Sequence, residues 1–289
     1  MRIKLIVTGD LERTSIVASL QRHFPQSDNG SPIDWLTPRK IHCTTSNPLQ
    51  SGKPPSSAMK TLANALIAEA EFGENGSPAD LVVAVDDLEL ANQGQPDVVI
   101  DHLKRAVEEQ INAHADYRRK DRLRTTLREK CSFHFFAPMV ESYFFGDRTA
   151  LASLGIKPQR SLYLQDPDDV ENFETADPAW LRTCAEENQR KTAGGWAWWK
   201  HERHPKHYLE FLTDENEHTY QETVNGATAF KALNWATITA KRTATKFVRS
   251  LFEDLADALA IPNPFPGDTA QETWPSRSID RQTLLLRNL

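Results

Sequence analysis

The chain lacks a long apolar run, carries little cysteine and has no excess of positive charge. Nothing in it approaches the roughly 20 consecutive apolar residues that cross a bilayer, so no membrane association is expected. The apolar part of Met1–Val7 stops at Thr8-Gly9-Asp10, too short for a signal peptide, and reads as a first strand. Three cysteines, Cys43, Cys131 and Cys184, stand at no metal-site spacing. They fit reduced thiols in a cytoplasmic protein. A net charge of −6 argues against a strongly basic nucleic-acid coat but leaves room for a local basic patch. The chain also has no phosphate-cradling P-loop and no His-Glu-x-x-His spacing.

What is present is length enough for a sizeable core and one informative segment, Ala79-Asp-Leu-Val-Val-Ala-Val-Asp-Asp-Leu-Glu89. Its apolar run suits a strand buried on both faces of a parallel sheet. Asp86, Asp87 and Glu89 follow at its carboxyl end, where open α/β sheets place their ligands. Three carboxylates so close repel one another unless a cation joins them, and Mg²⁺ or Mn²⁺ prefers such oxygen donors. Thr8-Gly9-Asp10-Leu11-Glu12 follows the first strand in the same way. If the two strands are neighbours, their acids converge. The competing reading is that these acids are helix caps or solvated loop residues.

Along the chain, Ile3–Val7, a helix with Ile16, Val17, Leu20 and Phe24 on its apolar face, a possible strand at 40–44, a helix at 58–72, the strand at 81–85, a helix from Pro96 and a strand at 131–137 alternate. Gly9 is expected to permit a tight turn, and Asp10 or Thr14 to cap the first helix. This order implies a parallel sheet wrapped by helices. Residues 140–154 read as helical, 165–190 as acidic and irregular with short helices, and about 237–260 as a helix whose stripe is Phe247, Val248, Leu251, Phe252, Leu255 and Leu259. The last 20 residues read as an extended tail docked through Trp274. The expected organisation is an α/β core over 1–145 and a mainly helical elaboration over 146–289.

Strand-Gly-x-x-Glu-helix, then strand-Asp-Asp-x-Glu about 75 residues on, resembles the topoisomerase–primase (Toprim) domain. Phe136-Ala-Pro-Met-Val-Glu141-Ser-Tyr-Phe-Phe-Gly-Asp147, His204-Pro-Lys206 and the stretch from Asn225-Gly226 are similar to a bacterial Toprim-like family of unknown function. That family often accompanies an AAA-type ATPase in phage-defence gene clusters. The resemblance implies a Toprim-like fold and a metal-dependent nuclease that acts on DNA or RNA in a hetero-oligomeric complex with an ATPase. It also implies that Asp86, Asp87 and Glu89 hold the metal, with Glu12 a further ligand or base, Glu141 a supporting acid and Lys206 a phosphate contact. The pattern places a glutamate just before the first glycine, and this chain has Thr8 there, which cannot titrate near neutrality. Glu12 is positioned to substitute. The alternative is a degenerate Toprim-like subunit that keeps the scaffold and binds its partner.

Three further patches carry possible chemistry. Tyr117–Lys130 holds seven basic residues, among them Arg118, Arg119, Lys120, Arg122 and Arg124, and two acids. It could contact phosphates or simply be a solvated helix face. His201, His204 and His207 are interrupted by Pro205, which favours a structural or phosphate-contact role over zinc. Gly194-Gly-Trp-Ala-Trp-Trp199 could stack on bases, though core or interface is the commoner use of tryptophan. With the basic run, these indoles would make the chain a nucleic-acid-binding adaptor.

Overall fold

β1 (Arg2–Val7) places Ile3, Leu5 and Val7 on one face and Ile6 on the other, all buried. It is the strand around which the sheet is ordered. The computed structural model describes residues 1–157, 160–193, 201–214, 219–240, 245–265, 273–275 and 281–289. α1 (Asp10–Gln21) follows β1 directly. Two short strands come next, β2 (Asp34–Trp35) beside the start of β1 and β3 (Arg39–Lys40) beside its end. The strand expected at 40–44 is therefore reduced to a two-residue pairing shifted toward the N-terminus. Pro38, with no N–H to give, lies between the two short strands.

α2 (Ser57–Glu71) is capped by Ser56, whose Oγ accepts from Met59 N at 3.1 Å. It leads into β4 (Leu81–Asp87), which pairs in parallel with β1, Val7 opposite Val85. α3 (Pro96–Asn112) begins at Pro96 and buries Val99, Leu103, Ala106, Val107 and Ile111. α4 (Tyr117–Lys130) runs without a loop into β5 (Cys131–Phe136), parallel to β4. The five-stranded sheet is all parallel. β2 and β3 lie on one side of β1, and β4 then β5 on the other.

Helices cover both faces. α2, α3 and α4 pack on one face around Ile6, Val82, Ala84 and Phe133. On the other face α1 packs with the second half of the chain. That half comprises a 3₁₀ segment Val140–Gly146, α5 (Arg148–Ser153), α6 (Pro178–Ala193), α7 (Pro205–Thr213), α8 (Ala227–Ala232), α9 (Trp235–Ile238) and α10 (Lys246–Leu259). The helix expected at 140–154 is thus split, and 178–193 is one continuous helix rather than short pieces. α10 begins at Lys246, later than the expected 237; α9 ends at Ile238 and a turn follows at 239–240. Its stripe is buried as expected.

The end of the chain closes the sheet's open edge. Arg287 N donates to Cys131 O at 2.7 Å, and the Asn288 amide both accepts from Phe133 N and donates to Phe133 O. An edge strand with free backbone groups invites unwanted pairing, and these contacts occupy them. Trp274 packs on Phe135 and Phe247, with ring centroids 5.7 and 5.1 Å apart. Among the described residues, no helix is long and apolar enough to cross a membrane.

Candidate functional site: an acidic crevice at the switch point

β1 and β4 are adjacent, yet the chain leaves β1 toward one side of the sheet and β4 toward the other. The loops at their carboxyl ends therefore part, and the crevice between them is where open α/β sheets bind ligands. Glu12, Asp86, Asp87, Glu89 and Glu141 meet there, and repulsion within the set raises the proton affinity of Glu12, Asp87 and Glu89.

Each acid is placed by its own local device. Glu12 lies at the third position of α1 and is 3% exposed. Gly9, at the helix N-cap, has an ordinary extended φ of −105°. Its lack of a side chain matters for space, because a Cβ there would lie 1.9 Å from Glu12 Oε2. The tight-turn role expected for Gly9 is replaced by this close approach, and neither Asp10 nor Thr14 caps the helix. Asp10 instead pairs with Lys40 at 2.5 Å and with Arg13.

Asp86, 1% exposed, ends the apolar part of β4. Its Oδ2 accepts from Thr44 N at 3.1 Å and Thr44 Oγ1 at 2.5 Å, while Oδ1 has no hydrogen-bond partner among the described residues. Asp87 Oδ1 accepts from Val140 N at 3.0 Å, which ties β4 to the 3₁₀ segment carrying Glu141. Glu89 has a left-handed backbone, φ 59°, pinned by its N–H to Pro138 O at 2.7 Å and by Asn92 N to its carbonyl. A non-glycine residue held there is strained by about 1–2 kcal/mol, and such strain collects at functional sites.

Burial dominates the electrostatics. It pushes Glu12 up to about 8, with Glu141, Glu222 and Asp86 adding repulsion. It pushes Glu89 to about 7, again with Glu141 and Asp86 repelling and Lys206 opposing. Glu141 rises to about 7 by burial, moderated by Lys206. Asp87 is pushed well above its ordinary value by burial and four neighbouring acids. Asp86 also rises by burial, opposed by Thr44 and more weakly by the Thr8 hydroxyl.

Lys206 is the cation that acts on this group. It sits in the first turn of α7, which begins at Pro205 with His204 as its cap. Pro205 therefore starts a helix rather than interrupting one. Lys206 Nζ pairs with Glu222. The His204 and His207 rings stack at 3.9 Å, and burial holds His204 near 3, neutral at physiological pH. His204 caps α7, its Nδ1 accepting from His207 N at 3.4 Å.

Sequence reasoning did not find Thr44, Tyr220 or Glu222. Tyr220 OH donates to Glu141 Oε1 at 3.1 Å. Glu222 lies in a π-helical turn, Glu222–Gly226. The available signal was Gly226, where a Cβ would come within 2.9 Å of the Tyr220 hydroxyl.

The basic run does not join the crevice. Arg119 pairs with Glu71 at the end of α2, and α4 runs straight into the start of β5. Both ends of α4 are thereby fixed at the edge where the strands begin. The crevice lies a strand length away, about 20 Å at 3.3 Å per residue. Arg124 pairs with Glu108 at 2.7 Å. Arg118 and Arg122 are exposed and Lys120 is half-buried on the same helix. The tryptophans at 196, 198 and 199 lie outside the described residues.

The donor set is all oxygen, which suits a hard divalent cation. Among the described residues, no three acidic, imidazole or thiol side chains are already drawn around one point. The acids that share the crevice are the candidate ligands. No protein-family model, curated protein or solved structure matches the chain.

Proposed function

We propose that the chain is a Toprim-like, metal-dependent phosphodiester hydrolase. The observation that carries this reading is Asp86 Oδ1: a buried carboxylate oxygen without a partner among the described residues, set among acids that repel one another. A buried carboxylate oxygen without a partner is costly, and a cation would satisfy it. Asp86, Asp87 and Glu89 would hold Mg²⁺ or Mn²⁺, with Glu12 a further ligand or base. When bound, the ion supplies positive charge that offsets the phosphodiester's and favours attack by water. Glu141, held by Tyr220, supports the ligand side of the crevice. Lys206 offers a positive charge to the phosphate once Glu222 releases it.

The sequence resemblance is what suggests an AAA-type ATPase partner, a DNA or RNA substrate and an antiviral setting. A second reading, a scaffold that binds its partner without chemistry, is favoured by Thr8. Its hydroxyl stands near Asp86 where the Toprim pattern has an acid.

The test is Mn²⁺-dependent cleavage of DNA and RNA by the chain, alone and with its co-expressed ATPase. Asp86→Asn should lower the rate at least about a hundredfold, as removing a group that holds developing charge does. Undiminished cleavage by Asp86→Asn/Glu89→Gln would sink the site. Mn²⁺ binding without cleavage in any complex would favour the scaffold.

A further inference from the structure

A second concavity lies outside the crevice. Lys157, Arg160 and Arg182 line a cavity of about 610 Å³, together with Ser161, Tyr163 and Leu212. That volume lies in the range of small-molecule sites. One acid, Asp177, also borders it, but its carboxylate is spent internally. Oδ1 accepts from Ala179 N and Trp180 N, Oδ2 accepts from Tyr208 OH, and the residue is 3% exposed. The lining therefore carries Lys157 and Arg182 against one engaged carboxylate, with Arg160, which has an interaction of its own, beside them.

Tyr163 is the unusual element. It is 53% exposed and has a left-handed backbone, φ 49°. Its neighbourhood enforces that conformation. Ala176 N donates to Tyr163 O at 2.8 Å, Thr175 Oγ1 donates to Leu162 O, and Leu164 bridges Thr175. A strained residue whose hydrogen bonds hold a large ring in water is the opposite of what stability alone would select. The ring also borders an adjoining cavity of about 380 Å³ whose lining includes Arg148. An exposed aromatic residue that borders two cavities, each with arginine in its lining, matches a planar base attached to phosphate.

We propose that this cavity binds a nucleotide unit, with phosphate on Lys157, Arg160 and Arg182 and the base against Tyr163. The proposal stands without the hydrolase reading. Leu212 and Lys206 are six residues apart on α7, about 9 Å along its axis. A bound strand would thus lie close to the acidic crevice.

Binding is measured on the full chain in EDTA with adenosine monophosphate, a labelled ten-residue oligothymidylate, inorganic phosphate and a polyglutamate peptide. The expected result is saturable binding of the mononucleotide or the oligonucleotide, with inorganic phosphate at least about tenfold weaker. Tyr163→Asn, which tolerates the left-handed backbone, should weaken binding about tenfold, the size of a lost stacking contact. Tyr163→Phe should retain it. Arg182→Glu should weaken it and flatten its salt dependence. An oligonucleotide preference identifies a strand site, and a mononucleotide preference a free-nucleotide site. Binding measured in EDTA does not depend on a metal in the crevice, so failure of the hydrolase reading would show separately. The proposal is overturned by no saturable binding, by phosphate binding as tightly as nucleotide, by equal competition from polyglutamate, or by an indifferent Tyr163→Asn.

Discussion

The acid on α10 and the acids of the crevice are treated in opposite ways. The Asp254 side chain is 8% exposed, and that shielding alone would push its carboxyl up. Yet His134 and Arg287, its partners at 3.5 and 3.1 Å, overcome burial and bring it down to about 2. In the crevice, Lys206, itself already paired with Glu222, opposes the rise of Glu89 and Glu141, and all five carboxyls are pushed up instead. The fold can deliver a cation to a shielded acid, and it draws one from the very end of the chain to do so. Among the described residues, Lys206 is the cation that opposes the rise of Glu89 and Glu141, and the proposed metal would supply further positive charge there.

The largest test of that contrast is the pH dependence of stability. Glu12, Glu89 and Glu141 bind protons more tightly folded than unfolded. Between their ordinary value near 4.5 and the raised values of about 7 to 8, the folded chain holds more protons, so stability falls as pH rises. In metal-free buffer, urea unfolding should show a loss on the order of 5 kcal/mol from pH 5 to pH 8. Mn²⁺ should restore most of it. A flat profile, or one that Mn²⁺ leaves unchanged, would break the comparison.

Asp254 has the opposite sign. Its depressed value contributes stability above the ordinary value of 3.8 that is lost as pH falls toward 2. Arg287→Ala strands this carboxylate and should lower stability by about 3 kcal/mol at pH 7. It should also move acid unfolding to higher pH. Urea titrations of wild type and variant at pH 3 and pH 7 measure both effects.

Much of the crevice's frame is legible in the amino-acid pattern alone. The apolar runs at Ile3–Val7 and Leu81–Val85 imply a parallel sheet, and the acids after each imply a crevice, because short-range pattern fixes both. The helix from Pro96 and the stripe from Phe247 to Leu259 follow from periodicity. What local pattern does not carry is the choice of partners made by long-range packing. Thr44 on Asp86, Tyr220 on Glu141 and Asn288 on the edge of β5 are each joined across more than 40 residues. The basic run is legible as charge, but its place at the far edge depends on how α3 and α4 turn, which no local signal fixes.

Within the crevice, Glu12→Gln removes one raised carboxyl and keeps its shape. The variant should be more stable than wild type by about 1–2 kcal/mol at pH 8 without metal, and should gain less from Mn²⁺. Equal stability at pH 8 would mean that Glu12 is not the strained member of the set.

The smallest effect is expected at the opposite edge, where basic residues face water. Arg124 and Glu108 are 36% and 39% exposed, so water and salt already screen their attraction. Arg124→Ala should change stability by less than about 0.5 kcal/mol and leave the crevice's response to pH and Mn²⁺ unaltered. If α4 gripped the strand that the crevice acts on, this substitution would instead weaken substrate binding and lower its salt dependence. Comparing oligonucleotide affinity of Arg124→Ala and Arg182→Glu across a salt series therefore decides which basic face meets nucleic acid. A steeper loss in Arg124→Ala would move that face from the cavity around Tyr163 to α4.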